Sequence, residues 1–259
     1  MRSMLSKKIL VFLLLCGILL AAPMRHNEKI KTDYLKYKQL TTQQPNNKDY
    51  LFEFAMILAA MGRIEQGGDT LKKINELDEN YARAALGKLE RSRAAGQDNW
   101  WLRFKLGFVY YFLYEEDQGR IDQAKRRIKK NQDSPADQSG QIIARERALI
   151  TERQPRANRY KEASLANFYL VATKQPEDYL NAWGYAYMAT VKAIEKDWPE
   201  AKNLIETAVS IEPNAWAIRA AYMEALRQNG NLLAAAGQLT QALKLKAEQE
   251  SYEKQAFHE

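Results

Sequence analysis

Apolar residues recur at three- and four-residue intervals through most of this chain, the spacing that gathers them on one face of an α-helix. The clearest stretches are 50–61, 102–114 and 214–228, and no run of alternating β-branched residues competes with them. The pattern predicts helices at 27–43, 48–61, 64–76, 81–95, 99–115 and 158–174, followed by paired helices through 182–215 and 216–249. The fold class is therefore all-α. Turn residues set the breaks: Gln44-Pro45-Asn46-Asn47, Gly62, Gly96, Gln175-Pro176 and Gly230. The stretch from Asn131 to Gly140 reads as a loop, and Gln154-Pro155 as a further interruption. Asp197-Trp198-Pro199-Glu200 reads as a helix start, with Asp197 as N-cap and Glu200 as its capping-box partner.

A longer period lies over the short one. Ala189, Ala201, Ile205, Ala208 and Pro213 are matched 34 residues later by Met223, Ala235, Leu239, Ala242 and Ala247. Near the N-terminus Ala55, Gly62, Gly67, Leu71 and Ile74 occupy the corresponding steps, and Gly62 and Gly96 are themselves 34 apart. Antiparallel helices that approach closely need small residues at the contact, so Ala189 is expected to face Ala201 and Ala55 to face Gly67. Ile205, Leu239 and Leu71 would fill the space between helices. A period of ~34 residues marks stacked helix–turn–helix units.

On these residues the chain resembles the tetratricopeptide repeat family over 48–81, 182–215 and 216–249. It departs from the family pattern at Lys192, where an aromatic is usual, at Ile74 in place of a small residue, and at Glu79 and Ala247, where proline is common. The resemblance implies a helical-hairpin solenoid wound as a right-handed superhelix, binding partner segments in a concave groove lined by the first helix of each unit. Carried over, that groove holds Phe52, Met56, Trp183, Thr190, Ala220, Glu224 and Arg227. The carboxylate clamp of chaperone-binding members has no counterpart in Met56, Thr190, Ala220 and Glu224. The aromatic helix at 99–115 has two possible phases. Gly96, taken as an inter-helix turn, makes it the second of a pair packed on several sides, and the step from Gly62 favours this. If Leu106-Gly107 is a close-approach site instead, it is the first of a pair, and Trp101, Phe104 and Tyr111 join the groove.

Residues 1–24 differ from all that follows. Arg2, Lys7 and Lys8 precede an uncharged run of 16 residues, 9–24, in the charged-then-apolar order of an export signal. The run is shorter than the ~20 residues of a comfortable transmembrane helix. Ala21 and Ala22 suit a cleavage site and Pro23 opposes one, so a signal peptide and an uncleaved N-terminal membrane anchor both remain open. The expected location is the cell envelope: periplasmic or on the extracytoplasmic face, secreted or anchored through 9–24. The organisation expected is a leader helix at 1–24, N-terminal repeats at 27–115, a basic irregular helical insert at 116–160, C-terminal repeats at 161–249 and a polar tail at 250–259. Cys16 is the single cysteine, which removes disulfides from the reckoning.

Charge changes the picture only in the middle. Between Arg120 and Lys161, twelve Lys and Arg face five Asp and Glu, a local net of +7 that equals the net charge of the whole chain. Lys125, Arg126, Lys129, Lys130, Arg156 and Arg159 make this a candidate patch for an anionic wall polymer or membrane surface, set against a merely solvated helix face. Nucleic acid is not an expected partner of an exported chain. Catalytic chemistry finds little support. The two histidines, His26 and His258, lie near the ends, and no phosphate-cradling glycine loop or nucleophile elbow occurs. No cofactor or metal is expected. The reading that follows is a non-enzymatic protein-binding scaffold of the cell envelope, with the anionic-surface module as its rival.

Overall fold

A computed structural model describes residues 28–132, 136–174 and 178–257. The leader at 1–24, the two histidines and Cys16 lie outside them. Among the described residues the chain is all-helical, with no strand. The helices are α1 (Glu28–Gln43), α2 (Lys48–Ala60), α3 (Ile64–Leu77), α4 (Tyr81–Ala94), α5 (Trp100–Asn131), α6 (Ala136–Lys174), α7 (Asp178–Ile194), α8 (Trp198–Ile211), α9 (Trp216–Gln228) and α10 (Leu232–Phe257). No described helix is long and apolar enough to cross a membrane.

Four hairpin turns share one geometry. After α2, α4, α7 and α9 the chain enters the left-handed region at Gly62 (φ +75°), Gly96 (φ +83°), Lys196 (φ 63°) and Gly230 (φ +79°). In each, the next amide reaches back to a carbonyl in the last helical turn: Arg63 to Leu58 at 2.9 Å, Gln97 to Ser92 at 3.1 Å, Asp197 to Lys192 at 3.0 Å and Asn231 to Leu226 at 2.9 Å. This bond satisfies carbonyls that a helix end otherwise leaves open, and it turns the chain back on itself. Side-chain caps then start the following helices, Asn99 accepting from the Leu102 amide at 2.9 Å and Asp197 from the Glu200 amide at 3.4 Å. Lys196 stands where the other three turns have glycine.

The small residues sit where close packing requires them. A Cβ on Gly67 would lie 3.2 Å from the Ala55 carbonyl oxygen, so the α2–α3 approach is the expected one. Ala189 and Ala201 are both buried on the α7–α8 hairpin. Leu239 departs from its counterparts. Ile205 and Leu71 are buried, but Leu239 is 42% exposed on α10, which among the described residues packs chiefly on α9 through its other face.

The middle of the chain is more regular than its sequence suggests. Both phases of the aromatic helix describe part of the outcome. Gly96 is a hairpin turn between α4 and α5, yet α5 packs most extensively on α6. Gly107 is a close-approach site there: Ser164 Oγ donates to its carbonyl at 3.0 Å, and a Cβ would sit 2.9 Å from the Phe168 ring. The helix runs to Asn131 rather than ending near 115, and α6 continues through Pro155. Proline removes one backbone donor. Pro155 is exposed, and the neighbouring Ala157 is fully buried while Arg153 and Arg156 are tied to α5, so packing on both sides of the proline holds the helix. The expected irregular insert is therefore a long helical hairpin.

The main core runs through α1, α2, α5, α6 and α7. At its centre Tyr187 stacks on Phe168 (centroids 5.0 Å, planes 14° apart), meets Phe108 edge-on at 5.3 Å, and donates its hydroxyl to the Ala59 carbonyl at 3.1 Å. α7 thus seals the end of α2 across 128 residues of sequence. A second long-range contact joins α10 to the first helices. Arg63 Nε and Nη2 donate to Glu253 Oε2 at 3.1 and 2.7 Å, and Arg63 Nη1 donates to the Tyr34 hydroxyl at 2.7 Å. Residues beyond 249 are consequently not a solvated tail: α10 continues to Phe257, with Gln249 and Glu253 buried against the N-terminal helices.

Candidate functional site

Of the residues expected to line a groove, Phe52, Met56, Phe104 and Trp183 belong to the core instead. Each sits where helices meet. Phe52 packs against Tyr81 (5.9 Å between centroids), Phe104 against Phe168 and Tyr187, and Trp183 over the α2–α3 turn, where a Cβ on Gly62 would lie 2.5 Å from its indole. Met56 is fully buried in the same cluster. They fasten hairpins together and are closed to a ligand. Trp101 and Tyr111 are half-buried. Trp101 stacks on Phe104 with Lys105 Nζ 5.4 Å from its ring, while burial, with Glu115 second, pushes the Tyr111 hydroxyl far above its usual pKa.

Thr190 and Glu224 are brought together. They line a hollow of about 200 Å³ between α7, α8 and α9, floored by Ala189, Ala201 and Ala225. Its charge is spent internally. Arg227 donates to Glu224 through Nε at 2.7 Å and Nη2 at 2.6 Å, and this pairing, with a bond from Gln228, draws the Glu224 carboxyl down to about 2. Glu224 and Arg227 therefore complete each other on α9.

A larger cavity of about 520 Å³ opens where α10 returns to the α2–α3 turn. Its walls are the α2–α3 turn, the start of α9 and the last turns of α10. Trp216 is half-buried there, with Lys246 Nζ 5.0 Å from its ring; Ala217 and Ala220 extend the apolar floor. Arg63 and Glu253 form the opposite wall, their side chains only 13% and 10% exposed. Ala220 is a groove residue of the sequence reading. Trp216 was not, although an aromatic at the start of a unit's first helix signals it. The contribution of α10 had no local signal, since it depends on contact with residues nearly two hundred positions earlier.

The basic residues divide. Lys125, Arg126, Lys129, Lys130 and Arg159 are exposed on α5 and α6. Arg156 is a correction: it donates through Nε and Nη2 to Asp117 at 2.7 and 2.9 Å, and Arg153 Nη1 joins at 2.6 Å. Asp117 is wholly buried, which by itself would raise its pKa, but the two guanidiniums outweigh burial and hold the carboxyl below its usual range. Arg156 thus neutralises an interior carboxylate and cannot serve a surface. Among the described residues no group of three or more His, Cys, Asp or Glu is placed to hold a metal ion.

No protein-family model matches the chain, and no curated protein is significantly similar to it.

Proposed function

We propose that this chain is a non-enzymatic scaffold of the cell envelope, a helical-hairpin solenoid of the tetratricopeptide kind, that holds a segment of a partner protein. The binding place is the cavity between the α2–α3 turn, α9 and α10, rather than a groove along all the first helices. The supporting observation is Trp216: a large aromatic face left half-open above a cavity of about 520 Å³. Half-open aromatics in concave sites supply much of the energy of partner binding, because their area is large and few rotamers are lost. Lys246, Glu250 and Lys254 along one face of α10 and Glu65 on α3 offer polar contacts at the rim. The apolar run at 9–24 is what carries the chain to the envelope in this reading.

A photo-crosslinking residue at position 216 in intact cells tests the binding place. One discrete adduct is expected there and none from position 233, which is 87% exposed on the far part of α10. The same adduct from both positions, or no adduct from 216, would reject it. Export is tested separately by a phosphatase that folds only outside the cytoplasm, fused after residue 259; an inactive fusion would count against the envelope.

A further inference from the structure

A second cleft, far from Trp216, lies where the latter half of α5, the middle of α6 and the α7–α8 turn converge, and it encloses about 520 Å³. Two polar ladders face each other across it. On α5, Gln118 donates to Asp122 at 3.0 Å, with Lys125 and Arg126 one turn beyond; on α6, Gln154 donates to Asn158 at 3.1 Å, with Lys161 next. Lys196 closes the end. Of the four cations lining the cleft, Lys161 is paired with Glu195 at 2.6 Å. Lys125, Arg126 and Lys196 make no ion pair among the described residues, and Asp122 and Glu195 are the only carboxylates in the lining. The cleft therefore carries a net positive charge of two, with three cations uncommitted.

Two features set it apart from a row of solvated lysines. Tyr114 lines the cleft with only 3% of its surface exposed, and its hydroxyl has no hydrogen-bond partner among the described residues. Its oxygen is not sealed from solvent, so the hydroxyl can exchange water for an acceptor on a ligand. Burial, and then Glu195 and Asp122, push its pKa up to about 12, so it stays protonated and able to donate. The other feature is the backbone of Lys196, the one described non-glycine residue with positive φ. The three equivalent hairpin turns carry glycine, which fits that backbone without strain. A lysine kept there despite its conformation, at the mouth of a basic cleft, fits the general association of strained residues with binding sites.

We infer that this cleft binds a phosphate group, with Lys125, Arg126 and Lys196 opposing its charge and the Tyr114 hydroxyl and flanking amides meeting its oxygens. A tetrahedral oxyanion has several acceptor oxygens to match donors converging from three elements. The phosphate has two sources of the same chemistry, a soluble phosphate ester and the headgroup of an anionic lipid. The proposal is independent of the Trp216 cavity, since the two share no lining residue.

The test uses the full chain, titrated calorimetrically with inorganic pyrophosphate and with glycerol 1-phosphate, and sedimented with phosphatidylcholine vesicles with or without phosphatidylglycerol. Saturable binding to the soluble phosphates assigns the first source; retention only on phosphatidylglycerol vesicles assigns the second. Either supports the cleft if Lys196→Gly and Tyr114→Phe each weaken binding, Lys196→Gly by ~10-fold or more as expected for losing a charge-assisted contact. Lys196→Gly is expected to raise the melting temperature of the free protein, which separates lost binding from lost folding. The paired substitution Lys129→Ala, Lys130→Ala lies outside the cleft and should leave affinity unchanged. Binding to none of the probes overturns the proposal. So does equal weakening by the Lys129, Lys130 pair, which would mean diffuse attraction to a basic surface.

Discussion

At the scale of single residues, Lys196 and Asp117 each place a group where it is costly, one in its backbone and one in its buried charge. A left-handed backbone costs a side-chain-bearing residue ~1–2 kcal/mol, and a glycine there removes that strain while losing some chain entropy on folding. Lys196→Gly is therefore expected to stabilise the protein by ~1 kcal/mol, or roughly 2–4 °C in melting temperature for a chain of this size. An unchanged or lowered melt would mean that the side chain holds the turn in some other way. Asp117 is the opposite case, since its cost is already offset by two arginines. Asp117→Ala leaves Arg153 and Arg156 facing each other without an anion, and a loss of ~3–5 kcal/mol is expected in denaturant titration. The pH dependence follows from the depressed carboxyl. Its contribution is complete above the unfolded value of ~3.9 and disappears as pH falls through the lower folded value. Stability should therefore fall on acidification in the parent below about pH 4, and fall less steeply in Asp117→Asn.

At the scale of elements, the hairpin contacts separate positions that look alike in sequence. Ala201 is buried on the α7–α8 hairpin, so Ala201→Leu overpacks it and should cost ~1–3 kcal/mol. Leu239 shares its repeat position with the buried Ile205 but lies on the uncovered face of α10, so Leu239→Gln is expected to stay within ~0.5 kcal/mol. Equal costs from thermal melts would mean that α10 is covered in solution. The same contrast explains what could be read beforehand. The hairpins around Gly62 and Gly230 were legible because apolar periodicity, small contact residues and turn glycines agree there. The α5–α6 hairpin was not, because its interface buries Asp117, Glu146, Ser139, Ser164 and Asn167 among its apolar residues. Those polar groups are satisfied by partners such as Arg127 on Glu146 and the Gly107 carbonyl on Ser164. In sequence they count as surface, so 116–160 reads as a charged insert and Pro155 as a break.

At the scale of the whole molecule, long-range contacts decide the candidate site. A stack of hairpins read from its period predicts contacts between successive units, and it left Phe52, Met56 and Trp183 free to line a groove. The period carries no information about α7 closing over the end of α2, or α10 returning to the α2–α3 turn, and those long-range contacts bury the first set and create the cavity beside Trp216. The return rests on Glu253, which accepts from Arg63 and from Gln249 Nε2 at 2.8 Å. Replacing it with alanine removes charge-assisted bonds at a largely buried point, with an expected cost of ~1–3 kcal/mol. The location of that cost is the sharper expectation. Amide hydrogen exchange should speed up in α1 and in the last turns of α10, because Arg63 bridges Tyr34 of the one to Glu253 of the other, and stay unchanged in the α5–α6 hairpin, which has its own anchor at Asp117. The cavity loses one wall in the same event, so a crosslink from position 216 should fade in Glu253→Ala even though Trp216 and α9 are untouched. If α1 keeps its protection while the crosslink disappears, Glu253 acts directly on the partner; if both persist, α10 is held without it.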